Sequence, residues 1–351
     1  MINSKLDNAY IIWLFFTAFM IVIMVIIGGI TRLTDSGLSM IDWHIVDGIF
    51  PPLTNQEWIA EFEKYKQYPE FKFINFDINL SDFKKIFFWE YVHRIWGRLI
   101  GLVFILPFIF FLFKKVISRN SIKYLLLVLA LGICQAFMGW FMVKSGLVKD
   151  PNVSQYRLAM HLILAFIIYS LLLFQAWNKF RINSVNINTI NQNNYGSLLK
   201  YLLICLFLVL TTIVSGAFVA GTNAGLAYNN FPFMGDSILP PDPFILEPWW
   251  KNFFENISLI QFDHRALGTL SLLVVTLTWF LNIKKGFKSM INHLLNFGFF
   301  TIIVQYIIGI TILKLYVPVS LGVIHQLGSL ILLSTLIILL SEIFTEKKGE
   351  I

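Results

Sequence analysis

The sequence predicts an all-α integral membrane protein whose eight transmembrane helices form two pseudo-symmetric four-helix bundles. Three observations predict it. Of 351 residues, 57% are hydrophobic and 13% charged, with a mean hydropathy of +0.72, too little polar surface for a soluble chain of this length. Stretches apolar enough to span a bilayer, about 20 residues each, recur eight times, roughly at 10–31, 88–113, 121–143, 156–178, 199–221, 262–283, 291–313 and 317–342. Motifs of the first half return in the same order in the second.

The first span ends in IIGGITRLTDSGLSM (26–40), which aligns without a gap to VSGAFVAGTNAGLAY (214–228) at the end of the fifth. The first span is too long for a signal-peptide core and has no small-residue cleavage site, so it reads as a retained helix. The outer loop that follows is rich in aromatics and charge and predicts short amphipathic helices lying over the outer face. The second span is the least apolar at its start, because Glu90, His93, Arg94 and Arg98 fall in its first turns. The third carries Gln135 and Gly139, which recur as Gln305 and Gly309. Arg157 and His161 open the fourth.

An Asn-rich stretch then predicts a flexible linker, giving an N-terminal half at 1–181, a linker at 182–198 and a C-terminal half at 199–351. In the second half, loop five holds NNFPFM and a proline cluster suited to an ordered lid. His264, Arg265 and Gly268 match His93, Arg94 and Gly97, and His325 matches His161. Four helices per half keep both halves in the same orientation, a parallel repeat about the membrane normal.

Charge fixes the expected topology. The formal charge of +7 does not point to nucleic acid, because the cations cluster in short loops: Lys114, Lys115, Arg119 and Lys123; Lys179, Arg181 and Lys200; Lys284, Lys285 and Lys288. By the positive-inside rule these loops and both termini face the cytoplasm. All four paired histidines then lie near the outer, periplasmic ends of their helices. No transit peptide is visible, which favours a bacterial cell membrane. The two cysteines, Cys134 and Cys205, fall within apolar spans and read as small buried residues.

Ionisable residues inside a bilayer are costly and mark function. One intramembrane histidine is commonly a helix–helix contact; four at matched positions of a repeat point instead to two haems, each held by two axial imidazoles. His93 with His161 and His264 with His325 are the expected pairs. His44 and His293 have no repeat partner and read as non-ligands. Arg94, Arg98, Arg157 and Arg265, at the outer rim, are candidates for haem propionates, since guanidinium forks suit carboxylates; snorkelling to the interface is the alternative for each. Glu90, three residues before His93, shares its helical face and could act as general base or charge stabiliser. Asp263 is near the corresponding place in the second half but points elsewhere. Two rival readings stay open: a bis-histidine di-haem electron-transfer cytochrome, whose haems usually lie on both sides of the membrane, and a transporter with structural histidines.

The motifs GGITRLTDSGLSM, FFWEYVHRIWGR (87–98), CQAFMGWFMVKSGL (134–147), SQYRLAMHL (154–162), SGAFVAGTNAGLAYNNFPFM (215–234), FDHR and HQ, in this order, resemble the haem A synthase family over nearly the whole chain. The resemblance implies an enzyme that oxidises the C8 methyl of haem O to a formyl group by successive hydroxylations, giving haem A for cytochrome c oxidase. It implies His93 and His161 as ligands of the substrate haem O, Glu90 as the catalytic carboxylate, and His264 and His325 as ligands of a resident haem b cofactor that relays electrons. Partners implied are haem O synthase and an unidentified electron donor or acceptor, with oligomeric state open. Some members carry a cysteine pair in the first outer loop; this chain has none there and so resembles the cysteine-free subgroup.

Overall fold

The computed structural model describes residues 2–41, 49–146, 153–184 and 195–348. Among these it is all helical apart from loops, with eight helices long and apolar enough to cross a membrane. In chain order these are α1 (Ile2–Leu33), two short helices α2 (Asn55–Tyr65) and α3 (Pro69–Phe73), then α4 (Leu80–Phe113), α5 (Arg119–Gly146), α6 (Gln155–Ser184), α7 (Gly196–Gly221), the short α8 (Asn252–Glu255), α9 (Ile257–Asn282), α10 (Ser289–Lys314) and α11 (Val319–Lys348). His44 lies outside the described residues.

Every expected span is present, several with ends that run beyond the expected limits, and two of these bear on the site and the linker. Helix α4 starts at Leu80, eight residues before the expected start at 88. Asn79 caps it by accepting from the Ser81 and Asp82 amides, and a capped, aromatic-rich segment propagates helix although it is too polar to read as a span. His93 therefore sits more than three turns inside α4 rather than at its start. At the expected linker, α6 runs on to Ser184 and α7 begins at Gly196, so both ends of the 182–198 segment are helical.

Within the first half α1 packs on α4 and α6, and α5 on α6; within the second, α7 packs on α9 and α11, and α10 on α9 and α11. The halves meet where α6 touches α7 and α11, and α1 touches α11. One large apolar core runs through all of them, including Leu14, Phe166, Leu172, Leu198, Leu333 and Ile343. At the end of the bundle away from the histidines, Glu342 of α11 accepts from Trp177 (2.6 Å) and pairs with Arg181 (2.7 Å), tying α6 to α11.

The first outer loop is folded as expected. Thr54 and Glu57 form a capping box at the start of α2, which satisfies otherwise orphaned amides. Phe62 and Tyr65 of α2 then pack on Phe83 and Phe87 in the two extra turns of α4, with Met40 completing a second core. This cap buries Glu70 of α3, which is 4% exposed. Desolvation raises its pKa to about 8, partly offset by the Tyr65 hydroxyl and reinforced by the charges of Glu90 and Asp35. A carboxyl that holds its proton to higher pH when folded than when unfolded makes folding progressively less favourable as pH rises between those two values. Protection of 55–75 from proteolysis should therefore fall as pH rises from about 4.5 to about 8, and Glu70→Gln should remove that slope. A slope unchanged in the variant would mean that Glu70 is not its source.

Candidate functional site

Each of the four paired histidines is seated against a glycine of a neighbouring helix. A Cβ on Gly28 (α1) would lie 3.4 Å from Nε2 of His93 (α4), and one on Gly139 (α5) 3.3 Å from Cε1 of His161 (α6). In the second half the same contacts recur: Gly216 (α7) at 3.1 Å from Cε1 of His264 (α9), and Gly309 (α10) at 3.2 Å from Cε1 of His325 (α11). Gly28 matches Gly216 in the sequence repeat, and Gly139 matches Gly309. A side chain at any of the four would crowd an imidazole, which accounts for glycine there without appeal to backbone freedom. All four histidines are half-buried, so each keeps an uncovered face.

The pair in the second half has the geometry of opposed axial ligands. The His264 and His325 ring centroids are 6.4 Å apart with planes at 79°. Two imidazoles bound to one metal from opposite sides, through bonds of about 2 Å, place their centroids about 6 Å apart. Nδ1 of His264 is hydrogen-bonded to the Ser215 hydroxyl (2.8 Å). A partner on Nδ1 orients the ring and leaves Nε2 for a metal. Nδ1 of His325 is buried without a partner. In the first half the Gln135 amide donates to Nε2 of His161 (3.2 Å), and Nδ1 of His161 is buried and unpartnered. Gln305, the match of Gln135, donates instead to the His325 backbone carbonyl (2.7 Å). The donor set and the glycine seats thus fit haem in both halves.

The carboxylate and arginines are placed differently from expectation. Glu90 and Arg94, 3% and 9% exposed, form a buried ion pair (2.5 Å). The other Glu90 oxygen accepts from the Ser39 hydroxyl (2.7 Å) and the Met40 amide (2.8 Å), and Arg94 donates to the Met40 carbonyl (2.7 Å). Glu90 is thus a fixed charge clamping the end of the GGITRLTDSGLSM segment to α4. With donors on both oxygens it suits charge stabilisation better than proton abstraction.

The second half shares the arginine part of this clamp and differs at the glutamate's place. Arg265 donates to the Tyr228 carbonyl (2.7 Å), and Tyr228 is the repeat match of Met40. Gln261, buried and three residues before His264, donates to that carbonyl as well (3.0 Å). The counterpart of Glu90 is therefore Gln261 and not Asp263, a match legible in the sequence by carrying the offset of His93 and His264 back three residues. Arg94 and Arg265 accordingly serve the outer loops: Arg265 also donates to the Phe233 carbonyl (3.2 Å). Arg157 lies over the Phe141 ring at 4.4 Å. Each of these three arginines thus has a protein partner in the structure.

Further matched features frame the site. Asp35 and Asn223, equivalent in the repeat, both take left-handed backbone conformations (φ 47° and 54°) just past the ends of α1 and α7, where Asp and Asn are the tolerated non-glycine residues. Arg32 bridges the two, pairing with Asp35 (2.7 Å) and donating to Asn223 and the Ala220 carbonyl. Cys205 is buried as expected, whereas Cys134 is exposed on α5. His293 is exposed, and its Nδ1 is hydrogen-bonded within its own helix to Ser289.

Eight apolar helices around paired imidazoles, each on a glycine seat with one face uncovered, define the class: an integral membrane protein built to bind haem. Residues 11–337 match the family model described as COX15-CtaA, cytochrome oxidase assembly protein. The chain belongs to that family. A heme A synthase of Wolbachia sp. subsp. Brugia malayi is 44% identical over 94% of this chain and 95% of that protein. One from Nitrosospira multiformis is 43% identical over 92% and 89%, and heme A synthase COX15 of Arabidopsis thaliana is 43% identical over 93% and 73%.

Proposed function

We propose that this chain makes haem A, oxidising the C8 methyl of haem O to a formyl group, and that its two histidine pairs divide the work. The single observation that carries the division is the exchange of an ion-paired carboxylate, Glu90, for the neutral Gln261 at the matching place, three residues before His93 and His264. Haem O binds between His93 and His161, in the half with the fixed carboxylate; haem b binds between His264 and His325. When bound, haem b supplies one-electron transfer. The Ser215 hydroxyl holds the His264 ring in the tautomer that presents Nε2.

Glu90 lies three residues from His93 on one face of α4, as a preorganised negative charge fixed by Ser39, the Met40 amide and Arg94. Positive charge that develops near the methyl as electrons leave it is stabilised by such a group without reorganisation. Each of two hydroxylations passes two electrons to an external acceptor, takes its oxygen from water and releases two protons; the resulting geminal diol loses water to leave the formyl group. Both sites face the periplasm and both termini the cytoplasm, following the distribution of cations. The halves are a duplicated four-helix unit, with domain limits near the α6–α7 connection; the lack of cysteine in the first loop supports membership of the cysteine-free subgroup.

Supply of haem O and an electron acceptor to purified protein, followed by extraction and mass analysis, tests the activity: haem A must appear, and unchanged haem O with the acceptor present would refute it. Gln135 has a place in the same account. Its amide occupies the lone pair of His161 that a substrate iron would take, so binding must displace it. A neutral hydrogen bond is worth about 1 kcal/mol. Gln135→Leu should therefore tighten haem O retention by roughly five- to tenfold, read as a slower loss of haem O absorbance on dilution.

A further inference from the structure

The halves differ in one respect that the repeat does not predict: α9 and α10 pack closely, whereas α4 and α5 touch only sparsely. The difference is local. On α10 the stripe facing the bundle is buried at Ile291, Leu295, Gly298, Ile302 and Gln305 and half-buried at Gly309. On α5 the matching stripe is buried at Ser121, Leu125 and Val128, becomes exposed at Gly132, and stays only half-buried at Gln135 and Gly139. The opening therefore starts midway along α5 and leads along one helix face to the two residues that touch His161.

Residue size follows the same line. Gly132 stands where α10 has Ile302, and Gly101 of α4 stands where α9 has Leu272. A Cβ on either glycine would meet nothing within 4 Å, while Ile302 and Leu272 both pack in the apolar core. Gly101 and Gly132 lie at similar depth, twelve and thirteen residues from the ends of α4 and α5 that adjoin their connecting turn, or about 18–20 Å along the helix. That is within the hydrocarbon layer. The flanking residues Leu102, Ile105, Ile133 and Phe137 are exposed and apolar. A buried Gln135 oxygen without a hydrogen-bond partner lies on the same face.

We propose that the cleft between α4 and α5 is a lateral gate in the membrane, through which the apolar isoprenoid tail of the substrate haem reaches the lipid and through which substrate and product exchange. The inference rests on the reading that haem O binds at His93 and His161. Haem O carries a long isoprenoid chain that a closed four-helix unit cannot enclose, and the product keeps it. Haem b has a vinyl group in that place, and the half assigned to it is closed by Leu272 and Ile302. A turnover site must open to its lipophilic substrate, whereas a resident cofactor site need not.

The test fills the gate with the residues of the closed half. Gly132→Ile, alone and with Gly101→Leu, would be purified as full chain carrying its resident haem b, and mixed with haem O or with haem b while absorbance reports uptake at the histidine site. The gate predicts that the filled variants take up haem O at least about tenfold more slowly than the parent, because added methylenes must be forced apart, while uptake of tail-less haem b changes much less. Equal haem O uptake by filled and parent protein would overturn the gate and leave the assignment of His93 and His161 standing. If the parent itself takes up no haem O, or if His93→Ala does not abolish uptake, the assignment falls and the gate with it. Should the double variant lose its resident haem b, Gly132→Val alone is compared in the same way, with the same two outcomes.

Discussion

Replacing His325 with alanine abolishes haem A formation while leaving haem O bound in the other half. The ring sits opposite His264 at 6.4 Å and is seated on Gly309. Loss of one axial imidazole removes a metal bond and leaves a cavity beside a buried histidine, and ligand loss of this kind removes most of the affinity for the group. The resident haem b should then be absent or weakly held. The first half shares no histidine with this site, so haem O retention should stay near the parent value. Absorption spectra of purified His325→Ala protein, with extraction of its haems, check this. Retention of haem A synthesis without haem b would show that the second half is not part of the electron path. His93→Ala provides the reciprocal case, with haem b kept and haem O lost.

The second large effect is expected at Glu90. Changing Glu90 to Gln converts its clamp to the composition found in the second half, where Gln261 serves. The Met40 amide and the Ser39 hydroxyl can still find an oxygen, so the segment after α1 keeps its attachment. Arg94 loses its ionic partner, and removing one member of a buried pair costs about 3–5 kcal/mol when the other charge is left uncompensated. The Met40 carbonyl, which Arg94 also contacts, offsets part of that cost. If Glu90 only held the fold, Glu90→Gln would lower thermal stability and haem O binding together. If its charge stabilises the reacting methyl, haem O stays bound and product formation falls by about a hundredfold or more, the range seen when one preorganised charge-stabilising group is lost. Accumulated haem O or its hydroxylated form, with normal binding, is the expected result. Normal haem A yield would remove Glu90 from the reaction.

Much of this was legible in the residues because a bilayer makes secondary structure simple. With no water to satisfy backbone groups, apolar stretches of sufficient length must be helices, and all eight spans followed from hydropathy. The repeat identified the four histidines and the glycines that seat them. What escaped was set by polar capping and long-range contact. The first turns of α4 are too polar to read as a span, yet Asn79 starts the helix there and Phe83 and Phe87 bury against the outer cap. Charge type is visible in a sequence and partners are not: the pairing of Arg94 with Glu90, of Arg265 with loop carbonyls and of Arg157 with Phe141 had no sequence signal. Asp263 was set aside as pointing elsewhere, but Gln261, to which the repeat offset leads, was not singled out because a neutral side chain draws less attention than a carboxylate. The looseness of α4 against α5 has no local signature beyond two glycines facing an isoleucine and a leucine in the other half.

The central claim is that one chain holds two haems of different kinds, one in each half. The most direct measurement is the number and identity of haems extracted from the purified protein after haem O supply, in the parent and in a His93→Ala, His161→Ala double variant. The account predicts two haems per chain in the parent, one of them haem b and the other haem O or its oxidised products, with only haem b surviving in the double variant. A parent that holds haem b alone, or a double variant that keeps haem O, would contradict it.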